Sequence, residues 1–340
     1  MMLLEGLHIP LTTPFHREGH LDANALAANV MRYSLTPAAG LIVLGPAAEP
    51  TLLSEDESRE ALHVAAQAAA PEKVLIAGIP RDSVAGVLEL AGFVAEQRYD
   101  AVLVGAPSIL APTQRIELLT FFRAIADRSP LPLILLSTAG RWIEGEAVIE
   151  LAAHRNILGL LATHAIDANE VLARTATVKH EVSVTQVFAA VTGRMQRAAS
   201  SPLISPTSFA AATPGPAVAG PPLRTRKKSV GFQVIAGEAK TLLDALNSGA
   251  VGIAPAFAAA APQASYEIFA AWKDQDQALA SEKQQRIVEA AKLVESLGPG
   301  GLKFSADLNG YAGGFPRLPH LPPNGEQRVA LECLMKPLHN

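Results

Sequence analysis

Eight short aliphatic runs recur along the chain with longer amphipathic segments between them, and few architectures accommodate that alternation. The runs fall at 7–11, 41–44, 74–78, 101–105, 133–136, 158–162, 232–236 and 251–255. Runs of this length bounded by turn residues read as buried strands, and the intervening segments as helices that cover them. The pattern therefore predicts a TIM (β/α)8 barrel. Helix-start signals agree with the spacing. Ser54 with Glu57 forms a capping box ahead of Ala61, Leu62 and Ala65; Asp82 or Ser83 can cap the next helix, and Thr113 and Asp167 mark two more starts. Four further helical segments follow the eighth run, at 262–273, 274–296, 302–309 and 324–336, which is more helix than the barrel needs. The domain reading is a barrel over 1–261, then a barrel-closing helix and a C-terminal helical extension over 262–340.

One stretch breaks the rhythm. Residues 198–229 are rich in Pro, Ala, Ser and Thr, include Pro214, Pro216, Pro221 and Pro222, and end in Arg224, Arg226, Lys227 and Lys228. Such a composition predicts neither a regular helix nor a strand, and reads as a solvated insertion before the seventh strand. An insertion that follows a helix and precedes a strand emerges on the N-terminal face of a barrel, away from the face where chemistry sits.

Composition excludes several classes. With 340 residues, 49% of them hydrophobic and 18% charged, the chain can bury a large core. A formal charge of −4 and a pI near 6.2 give no global attraction to nucleic acid or to an anionic membrane. The lone Cys333 excludes an intrachain disulfide framework and fits the cytoplasm. The N-terminus shows no basic region followed by a long apolar core, and no apolar run approaches the roughly 18 residues of a membrane span. The nine histidines are spread along the chain and no metal site is read, although His8 and His164 lie on the first and sixth strand regions of one barrel. No cofactor is read either. Ala236-Gly237-Glu238 puts an acid where a phosphate-binding barrel needs glycine-rich backbone, which disfavours phosphorylated ligands.

The sixth run carries the most chemical information. Asn156-Ile157-Leu158-Gly159-Leu160-Leu161-Ala162-Thr163-His164 resembles the sixth strand of the dihydrodipicolinate synthase / N-acetylneuraminate lyase family, roughly N-I-x-G-I-K-E. The likeness continues in order along the chain: Thr13-Pro14-Phe15 near the start, and Gly45-Pro46-Ala47-Ala48-Glu49 against G-T-T-G-E. Further on, Leu136-Ser137-Thr138-Ala139-Gly140-Arg141 stands against Y-N-x-P-x-R, and Arg317-Leu318-Pro319 against R-x-P. The resemblance implies a pyruvate-dependent lyase barrel whose lysine forms a Schiff base with a keto acid, assembled as a homodimer or homotetramer. At that lysine's position this chain has Leu161. Leu136 replaces the relay tyrosine, Pro46 and Ala47 replace the relay threonines, and Ser108 and Ile109 replace a tyrosine pair. Imine chemistry needs an amine of lowered pKa and hydroxyls that move protons, so these losses predict that Schiff-base turnover is absent.

Polar groups remain at the predicted mouth. Arg141 holds the position from which the family grips a substrate carboxylate, a contact that suits a guanidinium fork; the alternative is an ion pair with Glu49 or Glu144. Thr12, Thr13, Gly45, Glu49, Ser137 and Thr138 are expected beside it. His164, just past the sixth strand, is placed as a base or hydrogen-bond donor, or simply caps the strand. Two functions follow: a binding or regulatory protein with a small-carboxylate pocket, working beside an active paralogue, or an active carbon–carbon lyase that uses another amine or no imine. Lys179, Lys240 and Lys303 are the candidate amines, and none is expected to reach the mouth.

Overall fold

The computed structural model describes residues 2–165, 168–176, 178–185, 189–200, 202–203, 218–219 and 224–339. Asp167 and most of 198–229 lie outside them. Strands β1 (Gly6–Pro10), β2 (Gly40–Val43), β3 (Val74–Gly78), β4 (Ala101–Gly105), β5 (Leu133–Ser137) and β6 (Ile157–Ala162) follow one another round a parallel barrel. Two later strands, β11 (Gln233–Ala236) and β12 (Gly252–Ile253), close it against β1. The helical layer comprises α1 (Ala23–Ser34), α2 (Glu55–Ala68), α3 (Val84–Glu96), α4 (Arg115–Ala126), α5 (Gly145–Ala152), α6 (Ala168–Arg174) and α8 (Leu242–Asn247). Closing it are α9 (Pro262–Lys273), α10 (Gln277–Leu308) and α11 (Gly325–Met335). The expected TIM barrel with a C-terminal helical region is what the chain forms.

Alternation along each strand sorts the aliphatic side chains. Ile42, Ile76, Leu103, Ile134, Leu161 and Ile235 fill the barrel interior, while Leu41, Leu75, Val102, Leu135, Leu160 and Val234 pack under the helices. Gly159 sits where β6 and β11 pair most closely: a Cβ there would lie 2.1 Å from the Gln233 carbonyl oxygen. At the N-terminal end the Gln233 side chain accepts from Leu4 N at 2.7 Å and donates to Met2 O at 3.0 Å, satisfying backbone groups that the barrel floor takes out of water.

Local start signals hold for two helices and miss one. The Ser54–Glu57 capping box is present, and Ser83 rather than Asp82 caps α3 by accepting from Gly86 N. Thr113 is not the cap of α4; Gln114 occupies that position, with its side chain turned back to Ala111 N. The segments read as separate helices at 274–296 and 302–309 are the two parts of α10, separated by non-helical backbone at Gly298 (φ 62) ahead of Pro299, with the second part starting earlier than 302.

The insertion needs a correction. It begins earlier than 198, and part of it is regular: β7 (His180–Thr185) pairs antiparallel with β10 (Thr225–Val230), so Arg226, Lys227 and Lys228 lie on a strand. Val182 and Val184 of β7 pack against Leu3, giving the basic segment an anchored partner that its own composition does not advertise. Within this excursion lie α7 (Gly193–Ser200) and the short pair β8 (Pro202–Leu203) and β9 (Val218–Ala219). Arg194 donates to Arg98 O at 2.9 Å and lies 3.5 Å from Asp100, just ahead of β4, so this part sits on the N-terminal face as expected.

His8 points into the barrel, fully buried, with Nε2 3.1 Å from Leu4 O and Nδ1 without a partner among the described residues. Burial lowers its pKa to about 4. A histidine depressed in this way is neutral in both folded and unfolded chains above about pH 6.5. Below that, only the unfolded chain takes up the proton, until the folded pKa is reached. Stability should therefore fall by about 3 kcal/mol between pH 6.5 and 4, at about 1.36 kcal/mol per unit. Urea denaturation at the two pH values checks this; His8→Gln should lose correspondingly less, and equal losses in both proteins would refute it.

Candidate functional site

The C-terminal mouth holds two cavities that share Pro46 and Pro299. The larger, about 500 Å³, is bounded by Leu44, Gly45 and Glu49 after β2 and by Arg81 and Asp82 after β3. Thr51 after β2, Ser108 after β4, Thr138 and Arg141 after β5, and His320 from the C-terminal segment complete its polar wall. Leu103 and Leu136 also line it, and Leu161 is the register neighbour of Leu136 on β6, itself buried in the barrel interior. The smaller cavity, about 260 Å³, is lined by Ala47, Thr163, Gly237, Glu238, Phe257 and Glu295 among others.

Of the residues expected at the mouth, Gly45, Pro46, Glu49, Leu136, Thr138 and Arg141 meet in the larger cavity, and Ala47 lies in the smaller. Thr12, Thr13, Ser137 and His164 line neither. Thr12 and Thr13 are buried. Ser137 Oγ accepts from Ile143 N at 3.0 Å and is 2.8 Å from His164 Nε2, while His164 Nδ1 is 3.0 Å from Ala165 O. That bonding fits a proton on Nδ1 with Ser137 donating to Nε2, so both ring nitrogens are engaged, Nε2 tying the end of β6 to β5 and Nδ1 the carbonyl of the next residue. The pairing of His8 and His164 in one interior does not occur, and no group of three or more metal-type ligands exists among the described residues.

Arg141 is nearly free. Its nearest carboxylate is Asp82, at a long 3.8 Å, and it makes one marginal 3.5 Å bond to Ala106 O. Neither Glu49 nor Glu144 pairs with it. Glu49 is instead held by Lys303 at 2.5 Å and accepts from Arg317 N at 2.9 Å. Lys303 also donates to Phe315 O at 2.8 Å and lies over the Phe15 ring, with 1% of its side chain exposed. Burial lowers its pKa to about 8, against the opposing pull of Glu49. These contacts hold the Glu49 backbone in the left-handed region (φ 52, ψ 43), a strained conformation for a residue with a side chain. Arg317 locks the same loop from outside through a two-pronged ion pair with Glu57, whose pKa its hydrogen bonds hold at about 2.

The amines require revision. Lys303 was not expected near the mouth, yet the break at Gly298–Pro299 carries it to Glu49, a wall residue of the larger cavity. Lys240 precedes α8 instead of lying on it, and its ammonium joins Glu238 and Glu295 at the smaller cavity. Lys179 is exposed just ahead of β7. Arg81 and His320 were missed altogether. Arg81 lies in the turn after a barrel strand, three residues past Gly78, a usable signal for a site residue that its neighbours Asp82 and Ser83 mask by also fitting a helix cap. His320 reaches the mouth from a distant part of the chain and gave no local sign.

A closed eight-stranded barrel with its cavities at the C-terminal ends of the strands defines the class: a (β/α)8 protein of the type that binds or transforms small molecules at that face. The sequence profile of the dihydrodipicolinate synthetase family matches residues 3–210, and the chain belongs to that family. It is 27% identical over 326 residues to a 4-hydroxy-tetrahydrodipicolinate synthase of Acidiphilium cryptum, covering 94% of this chain and 93% of the relative. It is also 32% identical over 167 residues to an L-threo-3-deoxy-hexylosonate aldolase of Hypocrea jecorina, covering 45% of this chain and 52% of the relative. In structure it is similar to a dihydrodipicolinate synthase of Bacillus anthracis, with TM-score 0.79, 20% identity and full coverage of both chains. Another similar structure is the chloride-inhibited dihydrodipicolinate synthase of Acinetobacter baumannii complexed with pyruvate, with TM-score 0.76, 20% identity and 98% coverage of each chain.

Proposed function

We propose that this family member binds a small keto acid or other carboxylate in the larger cavity without Schiff-base lyase turnover, and serves as a binding or regulatory protein. The observation that carries the reading is the apolar setting of Leu161. It stands where the family's motif has lysine and packs beside Leu136 in a barrel interior made of aliphatic side chains. Two further positions of the family's proton relay, Pro46 and Ala47, carry no hydroxyl, and His164 is engaged elsewhere. Arg141 supports the binding half: its guanidinium lines the cavity with only long contacts to protein, which leaves it able to take a carboxylate bidentately. The pyruvate held by the Acinetobacter protein supplies the ligand class.

Borohydride reduction in the presence of pyruvate, followed by intact-mass measurement, should give no adduct. Pyruvate should nevertheless raise the melting temperature: at tenfold excess over a millimolar Kd a ligand stabilises by roughly 1.4 kcal/mol. Arg141→Ala should abolish the rise, and an unchanged rise would place the acid elsewhere. A second reading, an active lyase with a displaced amine, draws on the lowered pKa of Lys303 beside the cavity wall. A reduced pyruvate adduct mapping to Lys303 would favour it over the first. The proposal extends to a homodimer or homotetramer in the cytoplasm, beside an active paralogue.

A further inference from the structure

The larger cavity contains a cation that the family resemblance does not explain. Arg81, in the turn after β3, lines it together with Arg141. Its one side-chain hydrogen bond among the described residues is the local donation from Nη1 to Pro80 O at 3.2 Å, and no described carboxylate lies within ion-pairing distance. Six arginines elsewhere, Arg59, Arg115, Arg123, Arg174, Arg286 and Arg317, each have an acidic partner within 3.0 Å; Arg81 is among those that have none. The cavity's two acids are occupied. Asp82 accepts from Ser108 N at 2.9 Å and from the Ser108 hydroxyl, and Glu49 is held by Lys303 and by Arg317 N. The wall thus offers two guanidinium groups, one after β3 and one after β5 with the end of β4 between them, and Asp82 is the nearest acid to Arg141 at a long 3.8 Å.

One monocarboxylate satisfies one of these forks and leaves the other with unmade hydrogen bonds. A ligand with two acid groups satisfies both, and guanidinium–carboxylate pairs of this kind are the strong, directional contacts that select a ligand. Resting on the reading of this cavity as a carboxylate site, we infer that Arg81 is a second acid anchor and that the ligand is a dicarboxylate, one end on Arg141 and the other on Arg81. The cavity of about 500 Å³ is also in the range of sites that take ligands much larger than pyruvate.

The test is isothermal titration of the full chain with two five-carbon 2-oxo acids that differ only at the far end, 2-oxoglutarate and 2-oxopentanoate. The diacid should bind at least about tenfold more tightly. Arg81→Gln should bring the two acids to within about twofold of each other by weakening the diacid, whereas Arg141→Gln should weaken both. Equal affinities in the wild-type chain, or a tenfold preference that survives in Arg81→Gln, would overturn the inference and leave the carboxylate site standing. Failure of both acids to bind would overturn the carboxylate site itself and this inference with it.

Discussion

Lys303→Met is expected to destabilise the folded chain by about 3–5 kcal/mol, a large part of the roughly 5–15 kcal/mol that a domain has in total. The Lys303 and Glu49 side chains are both withdrawn from solvent and meet at 2.5 Å. Removing the ammonium leaves the Glu49 carboxylate buried with one backbone donor, Arg317 N, as its remaining close partner among the described residues. The cost is that of an uncompensated buried charge, far above the 0–1 kcal/mol of a surface pair. Lys303→Met combined with Glu49→Gln should recover much of the loss, because the charge that made the single change expensive is gone. Chemical denaturation of the wild-type, single and double variants measures the coupling. A single-variant loss below about 1 kcal/mol would show that water reaches the pair.

The second large effect concerns the missing nucleophile. Leu161→Lys would place an amine among Leu136, Ile235 and Ile134, where desolvation should lower its pKa and leave a neutral fraction near pH 7. The variant should trap pyruvate under borohydride and lose about 2–5 kcal/mol of stability from the buried amine. It should still show no aldol or retro-aldol turnover. Leu136, Pro46 and Ala47 offer no hydroxyl, and general acid–base help of the kind they replace is worth about 10² to 10⁴ in rate. Measurable turnover by this single variant would mean that a group already at the mouth moves protons, with Thr51, Ser108, Thr138 and His320 of the cavity wall to consider.

Much of the fold was legible because its signals are local. Strand positions follow from runs such as 74–78 and 101–105, and the capping box at Ser54 and Glu57 needs only neighbours in sequence. The regular strand at Thr225–Val230 was not legible, since a polar, basic strand is specified by its partner β7 and by Val182 and Val184 packing on Leu3. The candidate site divides in the same way. Leu161, Leu136 and Arg141 were found because a motif in sequence order fixes which strand end each occupies.

What the sequence by itself determined was the barrel, the places of its eight strands and the identity of the side chains at the motif positions, all matters of short-range pattern. Tertiary structure alone decided which of those side chains share a space. It turned Ser137 and His164 toward each other and away from the cavity, and brought Lys303 to Glu49 across most of the chain length. It also left Arg81 without a carboxylate partner in the cavity that Arg141 lines. The physical reason is that a side chain's partners depend on strand alternation, helix breaks and loop closure acting together, and charge complementarity between distant segments leaves no periodic trace in the sequence.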